Sequence, residues 1–202
     1  MLLAAGFAAA VAATAAAGTA AGAGRAPAPN IIDAPYRSDQ RIGPYRISSN
    51  PTLSGAVRAL GPASSCTAVR GEQPAATATW GRLGVVLALT LDDTASGAQA
   101  ASPCATPARA RVTAARGVGT RWKTPAGLAV GSTVADVRRL YPDAVQVRAE
   151  RGLHAAGWRL IRLRTICLGD GCASEIIVSP LLVAETKGDR VTALVAVVPK
   201  RL

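Results

Sequence analysis

Aromatic side chains are scarce in this sequence: three Trp, three Tyr and one Phe among 202 residues. A core must therefore be built from Val, Leu, Ile and Ala, and a ladder of rings for stacking single-stranded nucleic acid cannot be assembled. Histidine occurs once, as His154. Any Ser-His-Asp or Cys-His arrangement would have to use it. His154 lies in Arg151-Gly152-Leu153-His154-Ala155-Ala156-Gly157, which reads as an exposed hairpin loop. The chain has no G-x-S-x-G elbow, P-loop, dinucleotide fingerprint or EF-hand loop. Asp92, Asp93, Asp136, Asp143, Glu150, Asp170 and Glu175 each stand near a turn or helix start. Acids there usually cap helices or face water, so no pair converges for glycoside chemistry. We expect no catalytic residue, cofactor or metal ion.

Lysine is also rare, at 123, 187 and 200 only, so arginine supplies nearly all of the net charge of +11. Such a balance favours anionic partners: acidic wall polymers, anionic lipid or an acidic protein. Arg, Ala, Gly and Pro all have GC-rich codons, and composition alone gives a second account of the charge. Nucleic acid is not expected, because no recognised reading module is present.

No charged residue precedes Arg25. Residues 1–23 form an apolar Ala/Gly/Thr run ending in the small-x-small site Ala21-Gly22-Ala23, which reads as a secretory signal peptide. The alternative is an uncleaved anchor, but alanine is a weak membrane residue and a spanning helix wants about 20 strongly apolar residues, so cleavage is expected, with no stable membrane span after it. Residues 24–41 carry Pro27, Pro29 and Pro35 among small polar residues and read as a disordered linker. Export agrees with an even count of four Cys, which allows three pairings. Cys167 and Cys172 flank a Gly-Asp-Gly turn, so a local bridge is natural there, leaving Cys66 for Cys104. A four-cysteine zinc site would want two close pairs, and the chain has one.

Matching stretches recur. Val57, Arg58, Leu60 and Pro62 fall on Val137, Arg138, Leu140 and Pro142 at an offset of 80. Trp80 falls on Trp158 at 78, and Arg111-Val112-Thr113-Ala114 on Arg190-Val191-Thr192-Ala193 at 79. The spacing predicts two units, 42–118 and 119–202, with Arg116-Gly117-Val118-Gly119-Thr120 linking them. In the first unit, Tyr45-Arg46-Ile47 reads as a strand. Leu53, Val57 and Leu60 then share one face of a helix ended by Gly61-Pro62. Strands follow near 66–69, 76–80, 83–91 and 109–114, with Val85-Val86-Leu87-Ala88-Leu89 apolar on both phases. The second unit has a helix capped by Ser132 or Thr133 with Asp136, then strands near 144–149, 157–167, 172–183 and 190–198. The expected fold class is α+β: two tandem helix-plus-antiparallel-sheet repeats forming one curved sheet with helices on one face.

This order resembles the beta-lactamase inhibitor protein fold and the related single-unit outer-membrane assembly lipoproteins of the BamE/SmpA type. The resemblance rests on Gly131-Ser132-Thr133-Val134-Ala135-Asp136-Val137-Arg138-Arg139-Leu140-Tyr141-Pro142, Trp158-Arg159-Leu160 and Gly188-Asp189-Arg190-Val191-Thr192-Ala193-Leu194, within residues 42–202. It implies tandem helix-plus-four-strand units with a disulfide in each. The sequence departs from it in having one helix per unit rather than a helix-loop-helix, and in lacking the aromatic-rich concave face such inhibitors use.

One cluster suggests a binding surface. Arg162 and Arg164 share a face of the expected 157–167 strand, and a bulge at Leu160-Ile161 would bring Arg159 beside them and Trp158. Trp and Arg dominate binding hot spots. Trp158, Arg159, Arg162 and Arg164 are thus the candidate partner-binding residues. The expected protein is a monomeric, secreted, disulfide-stabilised and non-enzymatic binding module, docking a protein or anionic envelope polymer on its open sheet face. A secreted hydrolase and a structural envelope protein are the alternatives.

Overall fold

The computed structural model describes residues 30–34, 40–70, 74–91, 102–149, 155–161, 165–167, 175–177 and 181–198. The proposed signal peptide 1–23 lies outside them. Two short helices start on side-chain caps. In α1 (Leu53–Leu60) the Thr52 hydroxyl accepts a hydrogen bond from the Gly55 amide at 3.1 Å, and Gly61 ends the helix at a positive φ of 82°. In α2 (Val134–Leu140) Thr133 and Asp136 form a reciprocal capping box. The caps are legible in sequence, but the faces differ from expectation. Leu53 and Ala56 are buried in α1, whereas Val57 is 37% exposed and its counterpart Val137 is fully buried.

Strands dominate the rest. The first three are short: β1 (Ile32–Asp33), β2 (Arg41–Ile42) and β3 (Tyr45–Arg46) form a small antiparallel sheet. Then come β4 (Ser65–Val69), β5 (Ala75–Trp80), β6 (Val85–Leu91) and β7 (Ala110–Val118). After α2 follow β8 (Val145–Val147), β9 (Gly157–Arg159), β10 (Thr165–Cys167), β11 (Glu175–Ile177), β12 (Leu181–Lys187) and β13 (Arg190–Val197). Eight of these make one antiparallel sheet in the order β4-β5-β6-β7-β13-β12-β9-β8, and β10 pairs only with β11.

This overturns the α+β arrangement of two helix-plus-sheet repeats. Among the described residues the structure is mostly β, 46% strand against 14% helical, with only two α-helices. The stretch read as a link is the end of β7: Arg116, Gly117 and Val118 pair with Val195, Leu194 and Ala193 of β13. Gly117 is required there because a Cβ would fall 2.8 Å from Cγ of Trp122, a buried ring whose Nε1 donates to the Leu83 carbonyl at 2.7 Å. The expected linker also needs correction at its described positions. Ile32 and Ala34 are fully buried, the Ile32 amide donates to the Lys123 carbonyl, and Ile32, Ile42, Tyr45 and Ile47 join the same core as the helices and the sheet. Val85–Leu89, expected to be buried on both faces, instead alternates, with Val85, Leu87 and Leu89 inward and Val86 and Ala88 half-exposed.

What the matched stretches share is local geometry. The register of β7 shifts opposite Ala88/Leu89 and that of β13 opposite Glu185/Thr186. The skipped residues are Thr113 and Thr192, and each hydroxyl donates at 3.3 Å to a carbonyl across the strand pair, of Ala88 and Glu185 respectively. Each bulge changes the side-chain phase. Val112 and Ala115 therefore both face the core, as do Val191 and Leu194.

Cys66 of β4 is bonded to Cys104, with Cα atoms 5.7 Å apart and a sequence separation of 38. Cys167 closes β10, but Cys172 lies outside the described residues, and so does the expected bridge between them. Among the described residues no helix is long and apolar enough to cross a membrane.

Two outcomes follow. Replacing both Cys66 and Cys104 with Ala should lower unfolding stability by about 4 kcal/mol on the chain-entropy relation, read as a lower urea midpoint. The second concerns Asp136. A hydrogen bond from Arg139 at 2.8 Å, with others from Thr133, holds its carboxyl down to about 2 from the ordinary 3.8. Because the folded value is the lower one, the cap contributes fully above pH 3.8 and is lost as pH falls through about 2. Acid unfolding curves of the wild type and Asp136→Asn should converge towards the low end of that window and separate above it.

Candidate functional site

Strand register defines the face of the large sheet opposite the helices. One row of side chains runs across all eight strands: Val145, Arg159, Val183, Val195, Arg116, Val86, Thr79 and Ser65. On one side of it lie Val147, Gly157, Glu185, Ala193 and Val118, and on the other Val197, Ala114, Ala88, Thr77 and Thr67. The alternation that sends Leu, Trp and Ile towards the helices leaves small, β-branched and charged residues here. Ala114, Val183, Ala193 and Val195 are buried at the centre. The half formed by β4, β5 and β6 is the more accessible: Ser65 and Thr67 are exposed, and Thr77, Thr79, Val86 and Ala88 are half-exposed.

A buried ion pair lies at the centre of this face. Arg116 of β7 donates through Nε and Nη2 to one oxygen of Glu185 of β12, at 2.8 Å from Nε. Glu185 is fully buried and the Arg116 side chain is 22% exposed. The strands are separated by β13, so the two long side chains span roughly 9–10 Å of sheet. Opposite Glu185 on β13 stands Ala193, whose methyl group leaves room for them.

Sequence reasoning missed this pair because Arg116 was assigned to a link. The one available signal was a lone acid in the otherwise apolar run Leu182-Val183-Ala184-Glu185. A charge on the buried phase of a strand needs a partner of opposite sign.

Of the expected arginine stripe, only Arg159 and its neighbour Trp158 fall among the described residues. Strand β9 ends at Arg159. Leu160 is then buried and its amide donates to the Leu182 carbonyl at 2.8 Å, and β10 begins a separate pair. Trp158 and Arg159 take opposite faces, as neighbours on a strand must. Trp158 faces the helices, half-buried, with the Arg138 guanidinium 5.1 Å from its ring centroid. Arg159 belongs to the opposite face, diagonal to Glu185, and its buried Nε has no hydrogen-bond partner. Arg162 and Arg164 lie outside the described residues, as does His154.

Among the described residues no three His, Cys, Asp or Glu side chains are grouped to hold a metal ion. Asp136 serves as a helix cap. The accessible half offers small apolar and hydroxyl side chains bordered by the partly exposed Arg116, which suits a docking surface. Comparison with protein-family models, characterised proteins and solved structures finds no match.

Removing one partner of a buried pair strands the other charge. Glu185→Ala should therefore cost about 3 kcal/mol, the low end of the usual range because Arg116 keeps some access to water. The double variant Arg116→Met/Glu185→Leu should recover most of that loss. Urea denaturation of the three proteins checks both outcomes.

Proposed function

We propose that this chain is a secreted, disulfide-stabilised, non-enzymatic binding module that docks a protein or anionic envelope polymer on the sheet face opposite its helices. The observation that carries the reading is the composition and exposure of that face. Ser65, Thr67, Thr77, Thr79, Val86 and Ala88 form its accessible half, bordered by Arg116. A surface of short side chains on paired strands loses little side-chain entropy when it is covered. Export is supported by the apolar leader-like run at 1–23 and by the Cys66–Cys104 bond, since disulfides persist in oxidising compartments. Trp158 drops out of the proposed surface because its ring is engaged with Arg138 and the core.

The net charge of +11 favours a second reading, a structural envelope protein held near an anionic wall by charge alone. Salt separates the two readings, because exposed charges are screened within about 8 Å at physiological ionic strength. Isolated anionic wall polymer on a solid support is the probe. Docking on the face predicts retention through physiological salt and its loss in Val86→Asp, a variant that puts a carboxylate among the half-exposed side chains. Equal elution of both proteins at modest salt would instead mean bulk attraction.

A further inference from the structure

Both ends of an open sheet present unpaired backbone groups, and natural sheets blunt such edges with charge, proline, bulges or shortness. At one end, β8 is blunted by shortness, having three residues. The other end, β4, has none of these devices. Its sequence, Ser65-Cys66-Thr67-Ala68-Val69, has no charge and no proline. It pairs with β5 over five consecutive residues without a register shift. Four of the five residues are exposed, with Val69 at 50%. Among the described residues its partner strand lies on one side only, so its outward N–H and C=O groups face away from the sheet. The Cys66–Cys104 bond holds the strand in place. The result is a straight, anchored edge prepared for another strand.

We propose that β4 docks against β4 of a second copy of this chain, antiparallel, about a two-fold axis at Thr67. Charge selects this occupant. The chain has a net charge of +11, so most of its surface repels a copy of itself. An uncharged edge is where two copies can meet without placing arginines opposite one another, and it gives an acidic partner no particular advantage. The sequence is also compatible with its own reversal. The axis pairs Ser65 with Val69, Cys66 with Ala68, and Thr67 with its own equivalent, so every side chain in the joint is compact. Cross-strand Thr–Thr pairs are among the favourable ones. A contact related by a two-fold axis also closes on itself, giving a dimer rather than a fibre.

This inference shares Ser65 and Thr67 with the proposed docking face but engages the strand edge rather than the face, and its salt response has the opposite sign. Polymer binding by a cationic protein weakens as salt rises, whereas pairing of two like-charged copies through neutral strands strengthens as their repulsion is screened.

Sedimentation velocity of the full, oxidised chain, taken as a series up to millimolar concentration, tests the proposal. The expected result is a weak monomer–dimer equilibrium, since one short strand pair buries less than a standard interface. The dimer should be lost in Thr67→Lys and equally in Thr67→Glu, because each places like charges face to face at the axis. An equimolar mixture of the two variants should re-associate, as opposite charges then meet. That rescue also distinguishes a lost interface from a lost fold. A monomer at every concentration would overturn the proposal, as would association unchanged in Thr67→Lys or a mixture that stays monomeric. Loss of association in Val145→Lys would point to head-to-tail pairing of β4 with β8 and would equally overturn it.

Discussion

The ladder between β7 and β13 is the interaction on which the rest of this structure depends. Residues 114–118 pair with 193–197 and join two groups of four strands into one sheet. The groups run outward from this seam in mirrored order, so the seam lies at the centre and the least constrained strands at the rims. The Arg116–Glu185 pair can form only because the seam puts β7 two strands from β12. The packing of Trp122 against Gly117 also starts at the seam, where a side chain on β7 would collide with the ring.

Two bulges decide which residues the seam sends to which face. Without the extra Thr113 and Thr192, strict alternation would turn either Val112 or Ala115, and either Val191 or Leu194, away from the core. With them, each long strand contributes apolar residues to the helix side along its whole length. Ala114, Ala193 and Val195 then occupy the other side, where they are small enough for an ion pair to lie across them. The core and the candidate face are thus consequences of the same two irregularities.

Local chemistry was legible in the sequence, and long-range pairing was not. The Thr133–Asp136 capping box, the Gly61 stop and the strands near 66–69, 76–80 and 190–198 follow from residues close in the chain. The matched Arg-Val-Thr-Ala stretches pointed to something common, and what they share is a bulge closed by a threonine hydroxyl. The continuation of β7 through Arg116-Gly117-Val118 was hidden because glycine between polar neighbours reads as a turn, and only the distant Trp122 explains its place in a strand. The run 157–167 looked continuous because nothing in it breaks a strand. Leu160 nevertheless turns into the core beside β12. The prolines that made 24–41 read as a linker concealed Ile32, whose burial depends on residues about ninety positions away.

The position of Ile32 has a consequence for the order in which the chain can acquire its structure. Strand β1 packs beside β13, close to the C-terminus, and its amide ladder leans on Lys123. Its site is therefore incomplete until Arg190–Val197 has been made. The seam likewise closes a loop of about eighty residues before it returns any contact, and topologies of this kind fold slowly. A ribosome-bound chain made only as far as β7 would hold β4 to β7 without β13 along β7. Strand β13 is then the one that both joins the two halves of the sheet and captures β1, so these strands, far apart in sequence, become ordered together, late and in one step.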